Sequence, residues 1–98
     1  MMSENGWLHG PQAIADLEEV VRHIAKDDPI TAARIGNALI DRAAVLENFP
    51  LVGSPNSKRP GVRKLVSRPY IIFYRPRLEE NCVDILRYWH GAQNEPGL

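Results

Sequence analysis

Pro69-Tyr70-Ile71-Ile72-Phe73-Tyr74-Arg75 is the stretch that decides the fold. Its apolar and aromatic residues read as a strand over residues 70–75. The run does not alternate apolar with polar, so both faces of this strand need cover. Two further strands are expected on either side of it, at residues 62–67 and 83–88. Arg68-Pro69 and the polar residues 76–81 separate the three, and connections this short predict an antiparallel meander.

Upstream, residues 51–60 are rich in Gly, Ser, Asn and Pro and read as a surface loop. Before them lie two helical segments. Gly10-Pro11 opens the first, since proline at the first helical position loses no hydrogen bond. Ile14, Leu17, Val20, Val21 and Ile24 then recur on one stripe, and Asp16, Glu18 and Glu19 are expected to complement the positive end of the helix dipole. Lys26-Asp27-Asp28-Pro29 is a stop and restart, with Asp28 as N-cap. The second helix is predicted over residues 29–48, with Ile35, Leu39, Ile40, Ala43, Leu46 and Phe49 as its buried stripe.

So short a link makes the helices antiparallel. Gly36 and the alanines at 32, 33, 43 and 44 would let them, or a helix and the sheet, approach closely. The expected architecture is α+β: an N-terminal helical hairpin, with a short strand at residues 5–9 as an optional leading element, packed on a small antiparallel sheet of three or four strands. If the hairpin covers one face of the sheet, the other needs a partner chain, self-association or the tail at residues 90–98.

The 98 residues suit a single domain spanning 1–98. The lone Cys82 forms no internal disulfide and no Cys/His cluster has metal-ligand spacing, so neither metal nor cofactor is expected, and a reducing, cytoplasmic setting is. No basic region followed by an apolar run opens the chain, and no stretch approaches the roughly 20 apolar residues that span a bilayer. Net charge is zero, which argues against a generic nucleic-acid binder, yet the halves differ. Residues 1–50 hold eight acids against four bases, and residues 51–98 reverse the ratio with six arginines and two lysines. A mixed, solvated surface explains this blandly; a cationic face for an acidic partner explains the preference for arginine.

Arg87-Tyr88-Trp89-His90-Gly91 ends the last strand with guanidinium, aromatic and imidazole groups. That mixture suits nucleic acid; equally, Tyr88 and Trp89 serve as core or interface residues and His90 as a hydrogen-bonding cap before the turn at Gly91. Arg63, Arg68 and Arg75 could converge with Arg87 on one edge of the sheet, or be solvated beside Glu79, Glu80 and Asp84. His9 and His23 read as surface residues. No Gly-rich phosphate loop, nucleophile elbow or HExxH is present.

The order of elements, with Ala15-Asp16-Leu17-Glu18-Glu19, His23-Ile24-Ala25, Phe49-Pro50-Leu51-Val52-Gly53, Pro60-Gly61-Val62-Arg63-Lys64-Leu65-Val66, residues 69–75 and Val83-Asp84-Ile85-Leu86-Arg87-Tyr88-Trp89-His90-Gly91, resembles the RelE/ParE superfamily of type II toxins, in its ParE-like, plasmid-stabilisation branch. The resemblance spans most of the chain. It implies a cognate antitoxin whose tail wraps the toxin, within a hetero-oligomer or beside a homodimer, and one of two targets. RelE-like relatives cut messenger RNA in the ribosomal A site; ParE-like ones inhibit DNA gyrase. Ile71 stands where nuclease relatives often carry arginine, and lysines are few, so the ParE-like reading is preferred: a non-catalytic gyrase inhibitor with Arg63, Tyr70, Tyr74, Arg75, Arg87 and His90 binding target or antitoxin. The alternative is a ribosome-dependent endoribonuclease with His90 as general acid or base and Arg87 and Arg68 on the phosphate.

Overall fold

The computed structural model describes residues 7–98, so the Asn5 and Gly6 positions of the expected leading strand lie outside the described residues. The elements are β1 (Trp7–His9), α1 (Pro11–Ala25), α2 (Pro29–Ala44), β2 (Ser54–Pro55), β3 (Arg63–Ser67), β4 (Tyr70–Arg77) and β5 (Cys82–His90), with 3-10 turns at Val45–Glu47 and Leu78–Glu80. All five strands form one sheet in the order β1-β5-β4-β3-β2.

The α+β class and the antiparallel meander of β3, β4 and β5 stand as expected. The sheet itself is larger and mixed: β2 adds an antiparallel edge, and β1 pairs parallel to β5 through Trp7, Leu8 and His9. β1 is the optional leading strand at residues 7–9, whereas β2 was not expected, and both are too short to show a period of two. Pro55 is tolerated in β2 because an edge strand has no ladder bond to lose on its outer side. β1 docks on a strand at the opposite end of the chain, a pairing that no local signal encodes.

α1 opens at Pro11 after an extended Gly10, and Asp28 caps α2, accepting from the N–H groups of Ile30 (3.1 Å) and Thr31 (3.2 Å). The hairpin closes tightly at Gly36, where an added Cβ would lie 2.8 Å from Val21 Cγ2. α2 is shorter than predicted, since the chain tightens into the 3-10 turn before Asn48. Two residues of the expected stripes are out of the core: Ile14 is 41% and Phe49 63% exposed. Phe49 follows the end of regular helix, where the helical phase no longer applies. In α1 the buried face is rotated by one residue onto Ala13, whose methyl lets the helix sit close to the sheet.

The core is one layer between the hairpin and the sheet. Ala13, Leu39, Ala43 and Leu46 meet Leu65, Ile72, Tyr74, Val83, Ile85 and Tyr88, with Leu17, Val20, Ile35 and Tyr70 at its margin. An extra residue in β5, Leu86, lets Phe73 pair with Arg87 and Tyr74 with Ile85.

Phe73 alternates with Ile72 and Tyr74 and so points away from the helices, yet it is fully buried. The C-terminal segment is held at two points. Trp89 Nε1 of β5 donates to the carbonyl of Asn94 (2.7 Å), and Glu95 reaches Lys58 (3.9 Å) in the loop before β3. These two contacts tie the segment to β5 and to the loop between β2 and β3. No helix among the described residues is long and apolar enough to cross a membrane.

Candidate functional site

β1 covers β5 only from Val83 to Ile85, and Gly10 N–H donates to Ile85 O (3.0 Å) as the chain turns into α1. Beyond that point the outer edge of β5 lacks a strand, and an unpaired edge N–H would remain at Tyr88. Asp16, one and a half turns into α1, meets it: its Oδ2 accepts from Tyr88 N–H at 3.1 Å. The same carboxylate takes two hydrogen bonds from Arg87, Nε to Oδ2 at 2.7 Å and NH2 to Oδ1 at 2.9 Å. Asp16 was expected to serve the helix dipole; it fastens α1 to β5 instead. Those bonds hold the Arg87 guanidinium above its usual pKa, and the same guanidinium stacks 4.8 Å over the Trp89 ring.

Tyr88 is buried, and its hydroxyl shares a 2.5 Å hydrogen bond with His9 Nε2, the two rings stacked with centroids 5.6 Å apart. His9 is therefore not the surface residue the sequence suggested. Burial lowers its pKa to about 4 and raises that of the Tyr88 phenol.

Between α1 and the C-terminal end of β5 lies an open cleft of about 430 Å³. Asp16, Glu19, Val20 and His23 form its helical wall; Tyr70, Arg87, Tyr88, Trp89 and His90 form the sheet wall, with Gln93 from the tail. His90 Nδ1 accepts from Ala92 N–H (3.1 Å), which is the capping role, and its ring meets Tyr70 edge to face at 5.4 Å. The other ring nitrogen of His90 takes no part in that cap. Among the described residues Glu19 makes no ion pair, so with Asp16 and Arg87 offsetting one another the formal charges of the wall leave one carboxylate uncompensated.

The remaining sequence candidates lie elsewhere. Arg63 builds the loop before β2, donating from NH2 to Leu51 O (3.0 Å) and from Nε and NH2 to Gly53 O (3.1 and 2.6 Å). Tyr74 is fully buried, and its hydroxyl oxygen accepts from Gly53 N–H at 3.0 Å. Gly53 is obligatory here, because a Cβ would stand 2.3 Å from Lys64 O. Arg75 is half-buried opposite Asp84, while Asp84 itself is held by Arg77 at 2.5 Å. Arg68 is exposed in the turn between β3 and β4. The arginines at 63, 68, 75 and 87 thus do not converge; only Tyr70, Arg87 and His90 come together.

Asp16, Glu19 and His23 were not singled out for this cleft, nor His9 for its bond to Tyr88. The one trace of Asp16 in the sequence is a carboxylate flanking the apolar stripe of a helix, which solvent explains equally well. No group of three or more His, Cys, Asp or Glu among the described residues is placed to hold a metal ion.

Residues 10–95 match the family model described as "ParE toxin of type II toxin-antitoxin system, parDE". Y4kP of Sinorhizobium fredii, named as a candidate toxin, is 34% identical over 87 residues, covering 87% of this chain and 86% of its own. Two solved structures share the fold. A chain of the chromosomal ParDE toxin-antitoxin system from P. aeruginosa superposes with a TM-score of 0.74 at 23% identity, covering 89% of this chain and 96% of that one. A chain of the RelBE2 toxin-antitoxin complex from Mycobacterium tuberculosis gives 0.69 at 28% identity, covering 95% and 98%. With a family match over nearly the whole chain and the helical hairpin packed on the sheet, the protein belongs to the ParE toxin family of type II toxin-antitoxin systems, within the RelE/ParE superfamily.

Proposed function

We propose that this toxin arrests growth by binding DNA gyrase, without performing chemistry of its own, and that a cognate antitoxin neutralises it. One observation carries the preference over RNA cleavage: the guanidinium closest in sequence to His90 is already ion-paired with Asp16 through two hydrogen bonds. A nuclease of this kind needs a cation free to meet the charge that develops on phosphorus. The cleft around His90 offers an uncompensated carboxylate instead, which repels a phosphodiester backbone.

In this reading Tyr70, Arg87 and His90 present the surface that meets the target, and Arg63 and Tyr74 act through the loop they hold. Arg75 contributes from the second face. The exposed apolar residues Phe49, Leu51, Val52 and Leu78 support a protein partner, the antitoxin, on that end of the molecule.

Purified toxin added to a supercoiling reaction is expected to inhibit gyrase, and added antitoxin to restore it. Unchanged supercoiling at molar excess, together with new A-site cuts by primer extension in cells expressing the protein, would overturn this reading in favour of the nuclease with His90, Arg87 and Arg68.

A further inference from the structure

We infer that the cleft between α1 and β5 is a receptor for a single arginine side chain projecting from a protein partner. The inference rests on the reading that this surface meets a protein, and it adds the chemistry by which that protein is recognised.

Three features of the cleft point the same way. Its volume of about 430 Å³ lies in the range of small ligand sites, about 300–1,000 Å³, and is ample for one long side chain. Its walls offer aromatic surface from Tyr70 and Trp89 and an aliphatic one from Val20, which suit the stem and the flat face of a guanidinium. Glu19 is exposed on the rim with no ion pair among the described residues, and a planar guanidinium can bond a carboxylate through two N–H groups.

The resident cation does not fill this role. Arg87 is bound to Asp16 through both Nε and NH2, and it covers Trp89 from one side. The molecule itself therefore displays the chemistry proposed for the visitor: a carboxylate from α1, a guanidinium and an indole. Glu19 lies three residues, or nearly one turn, along from Asp16 and faces the same cleft, so it can repeat the arrangement with an arginine supplied from outside.

An anion is disfavoured. Arg87 is the sole lysine or arginine on the cleft wall, and its charge is spent on Asp16. A lysine head is a compact, strongly hydrated charge that gains less from flat rings, so arginine is the favoured occupant.

The test uses the whole isotope-labelled chain and amide and indole NMR signals. The probe is the tripeptide acetyl-Gly-Arg-Gly-amide, with its neutral citrulline counterpart and the dinucleotide uridylyl-uridine as comparisons. Saturable shifts of Tyr70, Trp89 and His90 with the arginine peptide, absent with citrulline, are expected. Glu19→Gln, an exposed change that spares the core, should weaken the arginine peptide about two- to fivefold. Equal binding of the citrulline peptide, no saturable shift, or displacement by the dinucleotide would each overturn the assignment. Gyrase inhibition that persists while the arginine peptide fails to bind removes the cleft assignment alone. Arginine binding by a protein inert towards gyrase leaves the cleft standing and removes the target.

Discussion

Asp16 and Arg87 are joined by two hydrogen bonds of 2.7 and 2.9 Å between the middle of α1 and the far half of β5, and the same carboxylate closes the sheet edge at Tyr88 N–H. One aspartate thus replaces the missing end of β1 and sets how close the helical hairpin sits to the last strand. With side-chain exposures of 21% for Arg87 and 13% for Asp16, the pair is shielded enough to matter.

Asp16→Ala should cost about 2 kcal/mol, because it strands a guanidinium and a backbone N–H together. Arg87→Met removes the cation and should cost less. Urea denaturation of both single variants and the double variant reads the coupling directly; strictly additive effects would show that the two residues are independent.

The contact between Gly53 and Tyr74 yields a pair of stability changes with different causes. Tyr74→Phe leaves the Gly53 N–H buried without its acceptor and should cost about 1–2 kcal/mol. Gly53→Ala should cost more, about 3 kcal/mol, since the carbonyl at 2.3 Å belongs to backbone that cannot move aside alone. Thermal melts rank the two.

Gly36→Ala sets helix propensity against packing. The substitution gains about 1 kcal/mol in propensity but drives a methyl to 2.8 Å from Val21, whose branched side chain is stiff in a helix, so a net loss of about 1 kcal/mol is expected. Combining it with Val21→Ala should restore the room and make Gly36→Ala neutral or stabilising in that background. A loss of the same size in both backgrounds would place the cost elsewhere.

His9 makes stability depend on pH in a defined direction. Burial favours the neutral ring, so its pKa in the fold is about 4 against 6.5 in the unfolded chain. A depressed folded value means that the stabilisation is fully present above about pH 6.5 and is lost as pH falls towards 4. The full linkage corresponds to about 3 kcal/mol, and partial solvent access brings the expected loss nearer to 1–2 kcal/mol. Folding free energy measured across this range for the parent and for His9→Gln should differ in slope; parallel curves would rule His9 out as the source.

The tail offers a contrast between two anchors. Glu95→Gln removes only a long, exposed ion pair with Lys58 and should change stability by less than about 0.5 kcal/mol. A chain ending at Gln93 loses the carbonyl that holds Trp89 Nε1. An altered Trp emission is expected from that truncation and not from Glu95→Gln.

Local rules were enough for much of this molecule. Pro11, Asp28 and Pro29 placed both helix starts, because capping and the fixed φ of proline act within a few residues. The uninterrupted apolar run from Tyr70 to Tyr74 was legible as a strand needing cover on both faces. Gly36 could be assigned to close packing from composition alone. The sheet edges were legible only in part: a leading strand at residues 5–9 could be offered as an option but not its parallel pairing with β5, and β2 is only two residues long.

The site divided along the same line. Tyr70, Arg87 and His90 were chosen from the sequence as side chains of useful chemistry, and the fold brings them to one cleft. Whether each is free to act depends on contacts between residues far apart in the chain, and periodicity and propensity do not report those. Arg63 and Arg87 look alike in sequence, as basic residues of strands; one holds backbone carbonyls of a loop and the other a helix carboxylate. The sequence by itself determined most of the elements and the supply of charge. Only the tertiary structure decided which charges are spent on one another and which, like Glu19, remain for a partner, because Coulomb and hydrogen-bond energies depend on distance in space and not on separation along the chain.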